Sequence, residues 1–348
     1  KLIFLLFLFV FVGFVEIIGV GSIIPFLNSI TYSSIDESDN LTKSIYNLIQ
    51  PSSYKEFLLI SGFTVLTLLI LSNFFRFLVL WVTSYFVWEN QAKMSIRLLS
   101  YMMNRPYEDF AKENSADISK DILVETQNFV IGILMPLLVI LSQSFICISI
   151  LIALFLFDAF VASLVTLSIL LIFGIFYFLI QKPLQKEGAE RFKATVERFK
   201  IVDESFSGIK LIKLLNKEDY FLNLIQKPSF GFAKAMAFQT YTKGLPRYVF
   251  EVVAFGAVVL IALFNIYQGK NINDVITIIG LFAFAGYRLL PSMSQLYGAI
   301  NSLTFNNAVL ERLFNQRELK IIETEEFGFI MNNKETIEFS FSNVSYKY

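Results

Sequence analysis

Five ionisable residues stand inside otherwise apolar runs of this sequence: Glu16, Arg76, Arg247, Glu251 and Arg288. A central arginine costs about 2.5–3.5 kcal/mol on membrane-insertion scales, so such a residue faces a water-filled cavity or a partner. Guanidinium suits phosphate, because it stays charged and bonds two oxygens at once. Counting ~1.5 Å per residue, Arg288 falls near mid-membrane, while Arg76 and Arg247 fall nearer the cytoplasmic leaflet. The three arginines then form a ladder for an anion, with Glu16 and Glu251 beside it as further candidates for substrate contact. The other use of these charges is internal pairing. Arg247 and Glu251 are four apart and share a helix face, and Glu16 can neutralise Arg76 or Arg288.

These charges need helices to hold them. The chain has 348 residues, 55% of them hydrophobic, 39 of them Phe. Six apolar runs reach the ~20 residues that span a bilayer. They are roughly Leu2–Ile30, Phe57–Trp88, Phe129–Phe157, Ala159–Lys182, Pro246–Gln268 and Ile272–Ile300. The first run is too long for a signal peptide and carries Glu16 and Pro25, so it reads as a span. Gly13, Gly19 and Gly21 suit close helix packing, and Pro246 and Pro291 suit kinks. The net charge is zero, which gives no electrostatic case for nucleic acid. With no His and the single Cys147, neither a metal site nor an intrachain disulfide is expected.

Lys and Arg set the orientation. Thr31–Glu56 carries two, Glu89–Asn128 five, Lys182–Lys243 twelve and the tail after Ile300 five. Six crossings with this alternation put both termini and the two long connections in the cytoplasm. Those connections include "QAKMSIRLLSYMMN" and "ERFKATVERFKIVDESFSGIKLIKLL", apolar at helical spacing with charges between. They read as long helical hairpins leaving the membrane, broken near Lys112–Asp117 and near Asn216–Tyr220. After about Leu319 the composition turns polar, and "TIEFSFSNVSYKY" alternates with period two, as a strand does. No G-x-x-x-x-G-K-[ST] phosphate loop occurs. The chain starts at Lys1 without Met, so its N-terminus is expected to be trimmed.

In order along the chain, "YEDFAKENSADISKDILVETQNF", "ESFSGIKLIKLLNKEDYF", "VLERLFN" and "IEFSFSNVSYKY" resemble the two intracellular loops, the exit from the sixth helix and the first nucleotide-domain strand of bacterial ABC exporters. The resemblance implies the exporter transmembrane fold over 1–318, a linker over 319–335 and the start of a truncated nucleotide-binding domain at 336–348. The fold class is thus an all-α membrane protein with six long transmembrane helices, extended intracellular hairpins and a short β start at the C-terminus. It further implies a homodimer in the bacterial inner membrane, working with its own nucleotide-binding domain. Coupling residues would be Asn114, Ser115, Ala116 and Asp117 in the first loop, and Asn216, Lys217, Glu218, Asp219 and Tyr220 in the second. Tyr348 would stack on adenine. ATP and Mg2+ are cofactors of the full-length ATPase, with none bound by this stretch and no catalytic residue in it.

"FVEIIGVGSIIPF", "FFRFL", "LPRYVFE" and "YRLLPS" more narrowly resemble the flippases of lipid-linked oligosaccharides. There a short external helix meets the polyprenyl tail. "NLTKSIYNLI" occupies that place here, with Leu41, Ile45, Leu48 and Ile49 at helical spacing. The cavity arginines of those flippases correspond to Arg76, Arg247 and Arg288. The leading expectation is therefore an ATP-driven flippase of a lipid-linked saccharide. Other readings remain: an exporter of another lipid, a drug or a peptide; a membrane glycosyltransferase using the outer acidic cluster Asp36, Glu37 and Asp39; or a channel, against which the long hairpins argue.

Overall fold

The computed structural model describes residues 2–31, 40–105, 118–119, 121–157, 159–267, 269 and 272–307. In an apolar solvent every backbone donor and acceptor must be satisfied within the segment, so these runs become helices. Helix α1 is Leu2–Gly21 and α2 is Ile23–Thr31. The break between them, at Ser22, directly follows Gly21, the residue four before Pro25, whose ring clashes with the carbonyl of residue i−4. Helix α3 is Asn40–Ile49, and α4 runs over Tyr54–Met103. At the start of α4 the Ser53 side chain accepts from the Glu56 amide at 3.2 Å, and the Glu56 carboxylate accepts from the Ser52 amide at 2.8 Å. Both bonds satisfy donors that a helix start leaves open.

The third crossing is built in pieces: a π-helical turn over Asp121–Glu125, α5 (Thr126–Phe129), a second π turn over Val130–Leu134, and α6 (Met135–Phe157). Helix α7 (Ala159–Ser207), the short α8 (Ile209–Leu215) and α9 (Glu218–Tyr267) form the second long hairpin, and α10 (Ile272–Phe305) makes the sixth crossing. Six segments are long and apolar enough to cross a membrane. Among the described residues there is no strand. Helices α4, α7 and α9 have 50, 49 and 50 residues, about 75 Å each and far more than a bilayer needs. Three arms of the hairpins read from the sequence are therefore single helices longer than a bilayer needs. The expected break at Lys112–Asp117 lies outside the described residues. The one expected at Asn216–Tyr220 is confined to Asn216 and Lys217, and a further one occurs at Gly208, because Glu218–Tyr220 already belong to α9. The linker and the β start expected after residue 318 also lie outside the described residues.

Helix α10 lies against α6, α7 and α9, and α1 against α4 and α6. Val12, Ile150, Leu154, Leu281, Ala285 and Met293 share the main buried cluster. Between helices surrounded by lipid the hydrophobic effect contributes little, so close approach and polar ties must hold them. Small residues supply the approach. A Cβ on Gly13 would lie 2.4 Å from Ser149 Oγ, one on Gly132 2.8 Å from the Asn306 side chain, and one on Gly188 2.1 Å from the Phe305 carbonyl oxygen. The expectation for Gly13 holds. Gly19 and Gly21 have nothing within 4 Å, so close packing does not explain them. Beyond the apolar core, cation–π contacts fasten the hairpin: Arg198 lies 4.4 Å over the Phe232 ring and Arg191 5.4 Å over the Phe305 ring.

The obstacles met at Gly188 and Gly13 differ in kind. At Gly188 the obstacle is backbone, which cannot turn aside; at Gly13 it is a hydroxyl that can rotate. Gly188→Ala should cost about 1–3 kcal/mol, the range for overpacking, and Gly13→Ala distinctly less. Thermal unfolding of the detergent-solubilised protein checks the order; an equal shift for both variants would contradict the packing described.

Candidate functional site: a buried carboxylate between two arginines

Glu16 projects from α1 among helices α4 and α10, and its side chain is fully buried. Arg76 Nε donates to Glu16 Oε1 at 2.7 Å, and Ser72 Oγ donates to the same oxygen. Ser72 and Arg76 are four apart on α4, which puts both on one face. Arg288 Nη1, from α10, donates to Glu16 Oε2 and also reaches Ser72 Oγ at 2.6 Å. Both carboxylate oxygens are thus taken. The Arg288 guanidinium, 5.4 Å over the Phe284 ring, is 3% exposed, whereas the Arg76 side chain is 25% exposed.

One carboxylate between two guanidiniums leaves one positive charge in excess. It also leaves donors over: Arg76 Nη2 and Arg288 Nη2 are both buried without a hydrogen-bond partner. Unpaired buried donors are expensive, and a charged one more so. The cluster therefore ties α1, α4 and α10 together through one carboxylate, with two guanidinium donors unmatched.

The sequence singled out Glu16, Arg76 and Arg288, and the fold brings them together. Residue counting put Arg76 and Arg288 at different depths, as rungs. Both reach one carboxylate, a meeting that counting along single helices does not show. Pairing of Arg247 with Glu251 does not occur: both are exposed on α9, without an ion pair among the described residues and apart from the cluster. Ser72 went unnoticed in the sequence. Its signal was its place one turn before Arg76, a polar residue on the same face of an apolar helix.

Two outlying elements were also anticipated. Helix α3 spans the expected Asn40–Ile49. Its Thr42 is buried and accepts from Asn28 Nδ2 at 2.9 Å, and Tyr46 packs edge-on to Phe57. Ile45, Leu48 and Ile49 remain exposed, Leu48 most of all; the side chain of Leu41 lies outside those described. At the tip of the second hairpin Asn216 ends α8 in the left-handed conformation, with φ 48°. Lys213 Nζ pairs with Glu218 Oε1 at 2.8 Å across the turn, and Glu218 and Asp219 sit in the first turn of α9, favourably for its dipole. Lys217, Asp219 and Tyr220 are exposed there with Leu211 and Leu214. Asn114, Ser115, Ala116, Asp117 and Tyr348 lie outside the described residues, as do Asp36, Glu37 and Asp39.

Six membrane-length helices drawn out into long hairpins define a polytopic membrane protein of transporter type. The family model for the ABC transporter transmembrane region matches residues 2–289, so the chain belongs to that family. Membership implies, in general terms, a nucleotide-binding domain as partner and a dimeric assembly.

The charge balance ranks the substitutions. Arg288→Ala leaves Glu16 matched with Arg76 and Ser72. Glu16→Ala leaves two guanidiniums facing each other with no counter-ion. Breaking a buried pair from one side costs about 3–5 kcal/mol, and Glu16→Ala should approach that figure while Arg288→Ala falls clearly below it. Thermal melting and yield in detergent read this out; the reverse order would mean that Glu16 is not the hub.

Proposed function

We propose that the chain is the membrane domain of an ATP-driven exporter that moves a lipid-linked anionic saccharide, a polyprenyl-phosphate glycolipid, across the bacterial inner membrane with both termini in the cytoplasm. The observation that carries the reading is the cluster's surplus positive charge, with two buried guanidinium donors unmatched. A phosphate has the oxygens to satisfy them. Arg288 is the central contact and Arg76 its neighbour, with Glu16 between them; Arg247 and Glu251, exposed on α9, would line the route to it. In a homodimer the set doubles.

The apolar exposed face of α3 suits contact with the lipid tail, while Asn28 and Thr42 tie that helix to the end of α2. The exposed tip from Leu211 to Tyr220 suits docking of a nucleotide-binding domain that uses ATP and Mg2+, by way of Asn216, Lys217, Glu218, Asp219 and Tyr220. The motion of that domain would reach the cluster along α9 and α10, which lie against each other. A neutral lipid would have no use for unmatched guanidinium donors in the apolar core; a glycosyltransferase would in addition need carboxylates clustered for metal or base work, and among the described residues no group of three or more such side chains could hold a metal.

In vesicles containing the full-length protein, Arg288→Ala should lower ATP-driven transfer of a polyprenyl-pyrophosphate saccharide at least about tenfold, the loss of one bidentate charged contact. Arg288→Lys should recover part of it, since an ammonium keeps the charge and loses the fork. Transfer at the wild-type rate by a folded Arg288→Ala protein would sink the reading. Equal transfer of an uncharged amphiphile would favour a different cargo.

The role of α3 has its own test. Ile45→Asp places a charge on its exposed apolar face and should reduce transfer of a long-tailed substrate several-fold, with less effect on a short-tailed one, because the buried tail is worth ~0.8 kcal/mol per CH2. Equal reductions for both tails would remove α3 from tail recognition.

A further inference from the structure

We propose that Glu16 is a displaceable counter-ion: in the empty transporter its carboxylate holds, on Arg288, the place that a phosphate oxygen of the cargo takes. The inference rests on the anionic cargo proposed above and adds how the site is kept when empty and what its filling changes. Glu16 satisfies Arg288 incompletely. Its Oε2 engages Nη1 alone, while Nη2 stays buried and unpartnered. A phosphate can take Nη1 and Nη2 together. Glu16 also has a second attachment that does not involve Arg288, through Oε1 to Arg76 Nε and Ser72 Oγ. Displacement therefore strands no charge. Glu16 stays matched with Arg76, the phosphate is matched with Arg288, and the cluster's surplus of one positive charge is offset by the first negative charge of the phosphate.

The two pairings differ mechanically. In the empty site Glu16 and Ser72 tie α1 and α4 to α10 through Arg288. With the anion on Arg288 the bond from α1 to α10 is released, and the bond from α1 to α4 through Arg76 remains. Cargo binding would thus free the sixth crossing from the first two. A carboxylate kept only for stability would match its cations one for one. This one is outnumbered, fully buried, and shared between a 3% exposed arginine and a 25% exposed one, so the Arg76 side is the more open of the two.

The test is binding of farnesyl phosphate to the full-length protein in lipid nanodiscs by calorimetric titration, with farnesol as the uncharged control and inorganic phosphate as the free anion. Glu16→Gln keeps the shape and an acceptor for Arg76 but removes the competing charge. It should tighten farnesyl phosphate binding about tenfold, since a charge only a few ångströms from the anion is lost, and leave farnesol unchanged. A parallel gain for inorganic phosphate means that the site reads the phosphate itself; a gain for farnesyl phosphate alone means that the lipid must carry it; both support displacement. Unchanged or weaker farnesyl phosphate binding in a folded Glu16→Gln protein, or an equal gain for farnesol, overturns it. Should Glu16→Gln not fold, Glu16→Asp retains the charge at shorter reach and should tighten binding about threefold by loosening the hold on Arg288; no gain overturns the proposal equally. The two readings fail differently. If the wild type binds farnesyl phosphate no better than Arg288→Ala does, the anionic cargo itself is wrong. If binding is lost in Arg288→Ala but does not tighten in the Glu16 variants, only displacement is wrong.

Discussion

A carboxylate with no exposed surface, inside apolar helices, must be surrounded by donors. Glu16 meets that demand with Arg76, Ser72 and Arg288, and in doing so fixes three of the six crossings to one another. Little else could do so. Where lipid surrounds the helices, apolar contact between them gains little over apolar contact with lipid. The rest of the fold shows the same economy: glycines that admit a neighbouring backbone or side chain, Asn28 with Thr42, Asn301 with Thr242, and Gln143 with Gln295.

The same cluster gives the protein its chemistry. An interior with two guanidiniums and one carboxylate is neither neutral nor saturated. Its excess charge is tolerable because Arg76 is partly exposed and because the charge is spread over two planar groups. It is also the observation on which the proposed anionic cargo rests: two buried guanidinium donors are left unmatched.

Length does the remaining work. Helices of about 75 Å cannot end at the bilayer surface, so the second hairpin must carry its tip well into water. There the sequence changes character: Gly208 interrupts α7, Asn216 turns the chain in the left-handed conformation, and apolar side chains such as Leu211 and Leu214 face outward in the single chain. A nucleotide-binding domain, which membership of the ABC family implies in general, is the natural cover for such a tip. From that tip α9 returns to the apolar core and packs along α10, the helix that carries Arg288.

The sequence by itself determined the six crossings, the long helical extensions and the short helix Asn40–Ile49, because apolar run length and helical spacing are local properties of the chain. It also pointed to Glu16, Arg76 and Arg288, since an ionisable side chain in an apolar run is costly wherever it points. What it left open was who meets whom. Glu16 and Arg288 are separated by most of the chain, and residue counting along single helices gave no sign that Arg76 and Arg288 would meet at one carboxylate. Arg247 and Glu251 had the right spacing for a pair and do not form one, because spacing permits a contact without compelling it. Ser72 was visible only as another polar residue on an apolar helix. Only the packing of α1, α4 and α10 decided that one carboxylate would serve two arginines, for the partners of a buried charge are chosen by the helices that surround it and not by its neighbours in sequence.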